Sequence, residues 1–358
     1  MNRFKKLLPY LVLIFFCACK EKPEKLNKEE AIDFAKQIER TMKKGDGSLL
    51  DKGFDTEEFI DRMNLPDNEE GKGFAKGTAK SLNFGTRIAG EMTDHVNFEF
   101  IKHYVKEDKQ HVVFRLYDEE EGTLNYQDYE LLKKHGKCLI ADVYIYLTGE
   151  TFAETMGNIF KTLYEGSGND AVGADKDMEK VGTVKTLMQS GKVEEAKKTY
   201  DLLPAYIKKS KVVKLMYVTL CAALSTEQYE SALNEYKEAF PNEPNVNLLM
   251  IDGYYAQGEY KKMLAAVNAL DSQINKDPLL DFFRYLSYKL MEDKPAAKPF
   301  LMRLVKNMPE FQPGYIEWIA IDLKAGNKVE SDSLIAIYRK KRFDQKKLDQ
   351  FVNFYKEN

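Results

Sequence analysis

Three glycines govern the C-terminal half of the chain. Gly191, Gly258 and Gly326 stand 67 and 68 residues apart, each beside an apolar pattern of helical period. Beyond residue 177 every apolar pattern is helical. A fixed interval between turns therefore means that a helix-turn-helix unit of about 34 residues recurs. One such pair cannot cover its own apolar face, so the units have to stack on one another. This predicts five stacked pairs over residues 178–342. A last helix over 343–358, with Leu348, Phe351, Val352 and Tyr355 on one stripe, caps the final pair.

The units share local wording. Tyr254, Tyr255 and Ala256 precede Gly258, Glu259 and Tyr260. Tyr229, Glu230, Ser231 and Ala232 lead to Tyr236, Ala239 and Pro244, and Gly191 to Ala196 leads to Tyr200. These residues resemble the tetratricopeptide repeat, with its turn, small crossing residues and terminal proline. The resemblance implies a solenoid whose concave groove is lined by the first helix of each pair. Two departures leave helix spacing open: Pro295 and Pro299 fall where a second helix should start and continue, and Met263 replaces a small crossing residue.

Residues 28–165 read as an α+β domain. Asn27 with Glu30 forms a capping box before Ala31, Ala35, Ile38 and Met42. Helices are also predicted over 55–63 and 68–92, the latter weakened by Gly71, Gly73, Gly77 and Gly85. The period then changes to two, predicting four strands over 97–106, 110–118, 123–133 and 137–147 in an antiparallel meander. Strict alternation along the fourth strand points Leu139, Ala141, Val143, Ile145 and Leu147 one way and Cys138, Ile140, Asp142, Tyr144 and Tyr146 the other. A helix follows over 150–164. Helices followed by a bent antiparallel sheet resemble the nuclear-transport-factor-2-like and cystatin-like cone folds. The Gly, Ser, Asn and Asp-rich stretch 166–177 is the predicted linker between the two domains.

The N-terminus carries Arg3, Lys5 and Lys6 before an apolar run over 7–16, as an export signal does. That run is half the roughly 20 residues needed to span a bilayer. Phe16, Cys17, Ala18 and Cys19 resemble the lipobox of bacterial lipoproteins. The resemblance implies that residues 1–18 are removed and that Cys19 carries acyl chains and becomes the mature N-terminus; an ordinary secretory signal is the competing reading. The charged stretch after it, 19–27, is the predicted solvated tether. Its Lys20-Glu21 start resembles the surface-export signal of Bacteroidota lipoproteins, which implies an outer-membrane protein and leaves periplasmic and surface-facing display both open.

Lys and Arg number 54 against 57 Asp and Glu. Removal of residues 1–18, with three basic side chains and no acidic one, leaves a balance of −6, which argues against a nucleic-acid partner. The partners expected are the lipid bilayer, through the acylated cysteine, and an envelope protein or peptide. His95, His103, His111 and His135 lack metal-ligand spacing. No Gly-rich phosphate loop or Gly-x-Ser-x-Gly is present, and Cys138 and Cys221 have no base nearby in sequence. The chain is therefore read as a non-enzyme without cofactor or metal, Cys138 and Cys221 being free thiols.

Two surfaces are candidate sites. Arg115, Tyr117, Asp142, Tyr144 and Tyr146 share the second face of the sheet, and the cone-fold resemblance implies that this face lines a cavity, able to hold a ligand or to set Asp142 as a base beside tyrosine donors. The competing reading packs that face against the domain's own helices or against the repeat domain, with Arg115 and Asp142 paired. In the repeats, Asn247, Tyr254, Tyr285, Tyr315 and Trp318 are placed to line a partner groove, or else belong to the core. The leading functional expectation is an anchored envelope lipoprotein that binds or scaffolds protein through its repeats, and the alternative is an envelope lipoprotein that binds a small ligand or glycan in the sheet pocket.

Overall fold

The structure, a computed structural model, describes residues 23–93, 95–120, 122–166, 171–241, 243 and 245–357. The export signal and Cys19 lie outside the described residues. The end of the expected tether is fixed in place. Glu24 donates its N–H to the Lys133 carbonyl at 2.8 Å and accepts from Gly136 N–H at 2.9 Å, and Leu26 is buried. An apolar side chain next to a sheet edge gains more from burial than from solvation, so the stretch predicted as tether through residue 27 is docked on the sheet at Glu24 and Leu26, with Lys25 and Asn27 exposed.

α1 (Lys28–Met42) begins at the predicted capping box, in which Asn27 accepts from Glu30 N–H at 2.9 Å and Glu30 accepts from Asn27 N–H at 3.1 Å. α2 (Ser48–Gly53), α3 (Thr56–Arg62), α4 (Glu69–Lys80) and α5 (Phe84–Glu91) follow, and the glycine-weakened stretch breaks between the last two. Gly85 is required there: a Cβ on it would lie 2.3 Å from the Gly47 carbonyl oxygen, so α2 and α5 meet backbone to backbone.

The sheet is an antiparallel meander in the order β1 (Val96–Lys106), β2 (Lys109–Asp118), β3 (Leu124–Lys134), β4 (Lys137–Ile145) and β5 (Glu150–Thr151). It has five strands where four were predicted, because a two-residue strand is too short to show alternation. α6 (Phe152–Gly166) then packs with α1 to α5 over the first face, around Phe59, Phe98, Phe114 and Tyr129.

The predicted facing of β4 needs correction. Glu130 pairs with Asp142 but Leu131 with Ile140, so Ala141 is an inserted bulge residue. Alternation inverts there. Cys138 and Ile140 join Val143 and Ile145 against the helices, while Asp142, Tyr144 and Tyr146 face the other way. A similar bulge at Ile101 turns Lys102 and Tyr104 toward that second face.

The rest of the chain is helical: α7 (Ala171–Gln189), α8 (Val193–Asp201), α9 (Ala205–Lys208), α10 (Lys211–Ala222), α11 (Thr226–Ala239), α12 (Asn245–Ala256), α13 (Tyr260–Ile274), α14 (Leu280–Leu290), α15 (Lys294–Asn307), α16 (Gln312–Lys324), α17 (Lys328–Arg339) and α18 (Gln345–Glu357). α7 starts inside the stretch read as linker, and α9 is a short addition to the pairing. Consecutive helices pack as pairs: α7 with α8, α10 with α11, α12 with α13, α14 with α15 and α16 with α17. α15 runs through both prolines. Pro295 sits in its first turn, where a missing N–H costs nothing, and Asp293 caps the start by accepting from Ala296 N–H at 3.1 Å. Met263 is buried on α13. Cys138 and Cys221 are free thiols, the first half-buried and the second buried. No helix among the described residues is long and apolar enough to cross a membrane.

The second face of the sheet packs against the helical stack. Val113, Tyr117, Tyr126 and Tyr146 share one core with Leu248, Ile251, Val267, Leu270, Phe283 and Phe311. Within it Arg115 pairs with Asp277 at 2.5 Å and with Glu99, and Tyr126 donates to Asp277 at 2.6 Å. Asn245 donates to the Leu147 carbonyl at 2.9 Å, and Lys211 lies 3.7 Å from Glu150. Tyr117 meets Phe311 with ring centroids 6.0 Å apart. Lys211, Asn245, Asp277 and Phe311 all stand at the starts of first helices, separated by 34, 32 and 34 residues. One edge of the helical stack is thus the surface that receives the sheet.

Candidate functional site

Docking covers only part of the second face. Arg115 and Tyr117 are sealed in the interface, Arg115 with Asp277 and Glu99, and the anticipated Arg115–Asp142 pair does not form. Asp142, Tyr144 and Tyr146 instead line an open cleft of about 600 Å³ between the sheet and the turn after α13, with Gln273 and Asn275 on its far wall. Asp142 is buried and accepts from the backbone N–H of Val143 at 2.8 Å and of Ala153 at 3.1 Å; burial raises its pKa. Burial also pushes the Tyr144 phenol up to about 12.

β1, β2 and β3 add Tyr104, His111 and Asp128 to this cleft, which sequence reasoning did not single out. The Asp128 carboxylate lies 3.0 Å from His111 Nδ1 and accepts from the Tyr104 hydroxyl, while the Tyr104 and His111 rings stack with centroids 4.8 Å apart. Glu130 is clamped by Arg62 through bonds of 2.6 and 3.1 Å, and Lys109 is 3.0 Å away. Lys102 lies over the Tyr104 ring at 5.3 Å, and burial lowers its pKa. The signal for His111, Asp128 and Glu130 was present: the alternation that puts Arg115 and Tyr117 on one face carries His111 with them, and on β3 it groups Tyr126, Asp128 and Glu130, whereas Lys102 and Tyr104 reach this face only through the bulge at Ile101. Of the other histidines, His95 is exposed near Glu120, His103 bonds Gln110 at 2.6 Å, and His135 occupies the β3–β4 turn. Among the described residues no group of three His, Cys, Asp or Glu side chains is placed to hold a metal ion.

The second concavity is a groove of about 570 Å³ bounded by α14, α15, α16 and α18. Pro295, Pro299 and Met302 form one wall, Ala320 and Ile321 another, and Phe351 and Tyr355 of α18 a third. Lys289, Lys294, Lys298 and Lys324 stand around it. Glu317, the carboxylate among the lining residues, accepts from Lys289 at 2.7 Å and from Tyr285. Lys298 pairs with buried Asp322 at 2.7 Å, and Lys324 lies 5.3 Å from the Tyr355 ring centre.

Of the five residues anticipated for a partner groove, Tyr285 lines this one. Tyr315 is buried under Phe343 in the last core, and half-buried Trp318 packs between that core and the one shared with the sheet. Tyr254 is half-buried beneath Lys237 and Lys262, and half-buried Asn247 lies on α12 away from the groove lining. The aromatics that do line the groove with Tyr285, Phe351 and Tyr355, belong to a helix the sequence read only as a cap. Compared with known proteins, the chain matches no family model and no curated sequence.

Proposed function

We propose that this protein is an anchored envelope lipoprotein whose helical repeats hold a segment of a partner protein in the groove between α15, α16 and α18. The observation that carries the reading is the groove itself, with apolar walls and four lysines, of which Lys289 and Lys298 are paired with Glu317 and Asp322 while Lys294 and Lys324 have no carboxylate partner among the described residues. Such a surface fits an apolar segment flanked by carboxylates, the walls supplying affinity and the lysines orientation. Repeat turns at a 34-residue interval support a tetratricopeptide-like solenoid. Cys19 with two or more acyl chains supplies a stable anchor, since each buried methylene contributes about 0.8 kcal/mol and one chain holds only marginally.

The test is capture from envelope extracts with the intact protein and with a Lys294→Glu, Lys324→Glu variant. A discrete protein retained by the first and lost by the second supports the reading, whereas equal recovery by both contradicts it. The anchor is tested separately by palmitate labelling, which Cys19→Ser abolishes if the lipobox is used.

A further inference from the structure

The cleft between the sheet and the turn after α13 shares no residue with the partner groove, and its chemistry is different. Three cationic side chains, Arg62, Lys102 and Lys106, face three carboxyls, Asp128, Glu130 and Asp142. No excess charge is left for an ion to neutralise. The place an organic cation would take over Tyr104 is already held by Lys102. What the cleft offers is aromatic surface from Tyr144 and Tyr146 beside unused hydrogen-bonding capacity. Asp128 spends two of its roughly four acceptor positions on His111 and Tyr104. Among the described residues the Tyr144 hydroxyl, the second ring nitrogen of His111 and the exposed Gln273 amide make no hydrogen bond.

We propose that this cleft binds a neutral polyhydroxylated ligand, a sugar unit of an oligosaccharide, against the Tyr144 ring and within reach of Asp128, His111 and Gln273. Aromatic faces match the C–H face of a pyranose, and a fixed carboxylate with nearby donors matches adjacent hydroxyls, which both donate and accept. A cleft of about 600 Å³ lies within the range of small-ligand sites. Asp128 is preorganised for this by His111 and Tyr104, so its carboxylate has no rotamer freedom left to lose on binding.

The experiment is saturation-transfer NMR followed by calorimetry on the full chain in detergent, with maltotriose, cellotriose and chitotriose as neutral probes and trigalacturonate as the anionic one. At least one neutral trisaccharide receives saturation. Its affinity falls roughly tenfold or more in Tyr144→Ala and in Asp128→Asn, and several-fold in Gln273→Ala, a surface change that leaves packing intact. Lys294→Glu in the partner groove leaves it unchanged, so this test and that of the groove fail independently. Transfer to none of the neutral probes, tighter binding of trigalacturonate, or affinity that survives Tyr144→Ala and Gln273→Ala overturns the proposal.

Discussion

Glu130 ties α3 to the sheet. Its carboxylate takes both terminal nitrogens of Arg62, at 2.6 and 3.1 Å, and Lys109 at 3.0 Å. Burial pushes its pKa up, but the hydrogen bonds and charges of Arg62 and Lys109 outweigh that and hold it below the ordinary carboxylate range. A folded-state value under the unfolded one of about 4.3 means stability that is present above that pH and lost as pH falls through the folded value. Glu130→Gln therefore costs about 1–3 kcal/mol at pH 7, and the gap to the unaltered protein narrows as pH falls below about 4.3 toward the lower folded value. Urea unfolding of both proteins at pH 7 and pH 3.5 measures this; a gap of constant size contradicts it. At this scale the sequence was legible where a residue's neighbours are local, as at Asn27 and Glu30. It was not legible where they come from distant strands. Nothing near Asp128 in sequence indicates that Tyr104 and His111 will share its carboxylate, and nothing near Arg115 indicates Asp277, 162 residues away.

At the scale of elements, the turn glycines were the most readable feature, and the structure gives the reason. Gly191, Gly258 and Gly326 have φ of 73°, 69° and 72°. At each, the glycine N–H bonds the carbonyl three residues back and the next N–H bonds the one five back, the double closure of a Schellman turn. The α14–α15 pair makes the same closure, but Glu292 occupies the glycine position at φ 62°. A side chain there costs roughly 1 kcal/mol, partly offset by the extra freedom glycine has when unfolded. Glu292→Gly should raise stability by up to about 1 kcal/mol, read from the urea midpoint; a lowered midpoint would refute the turn argument. Bulges are the opposite case. A single inserted residue leaves no trace in an apolar pattern, so the facing of Cys138 and Ile140 was misread while the strand itself was placed to within two residues.

For the whole molecule, the sequence indicated two domains in order but could not show that one lies along the other. The surface responsible is spread over four helix pairs, with one residue at each, at Lys211, Asn245, Asp277 and Phe311. Because sheet and helices share one core, the chain should unfold as a unit. Asp277→Ala leaves Arg115 buried with only Glu99 opposite it, at a cost of about 3 kcal/mol or more. Trp318 fluorescence reports on the helices and Cys138 labelling on the sheet; the two midpoints should coincide and fall together in the variant, and separate transitions would contradict a shared core. The same arrangement leaves the groove bounded by α18 uncovered by the sheet, and the functional account rests on that groove. Its most direct test is photo-crosslinking in the cell from a benzoylphenylalanine placed at Met302, on the groove wall, with exposed Tyr255 on α12 as the control position. The account predicts one discrete protein adduct from position 302 and none from 255; adducts identical at both positions, or absent from both, would contradict it.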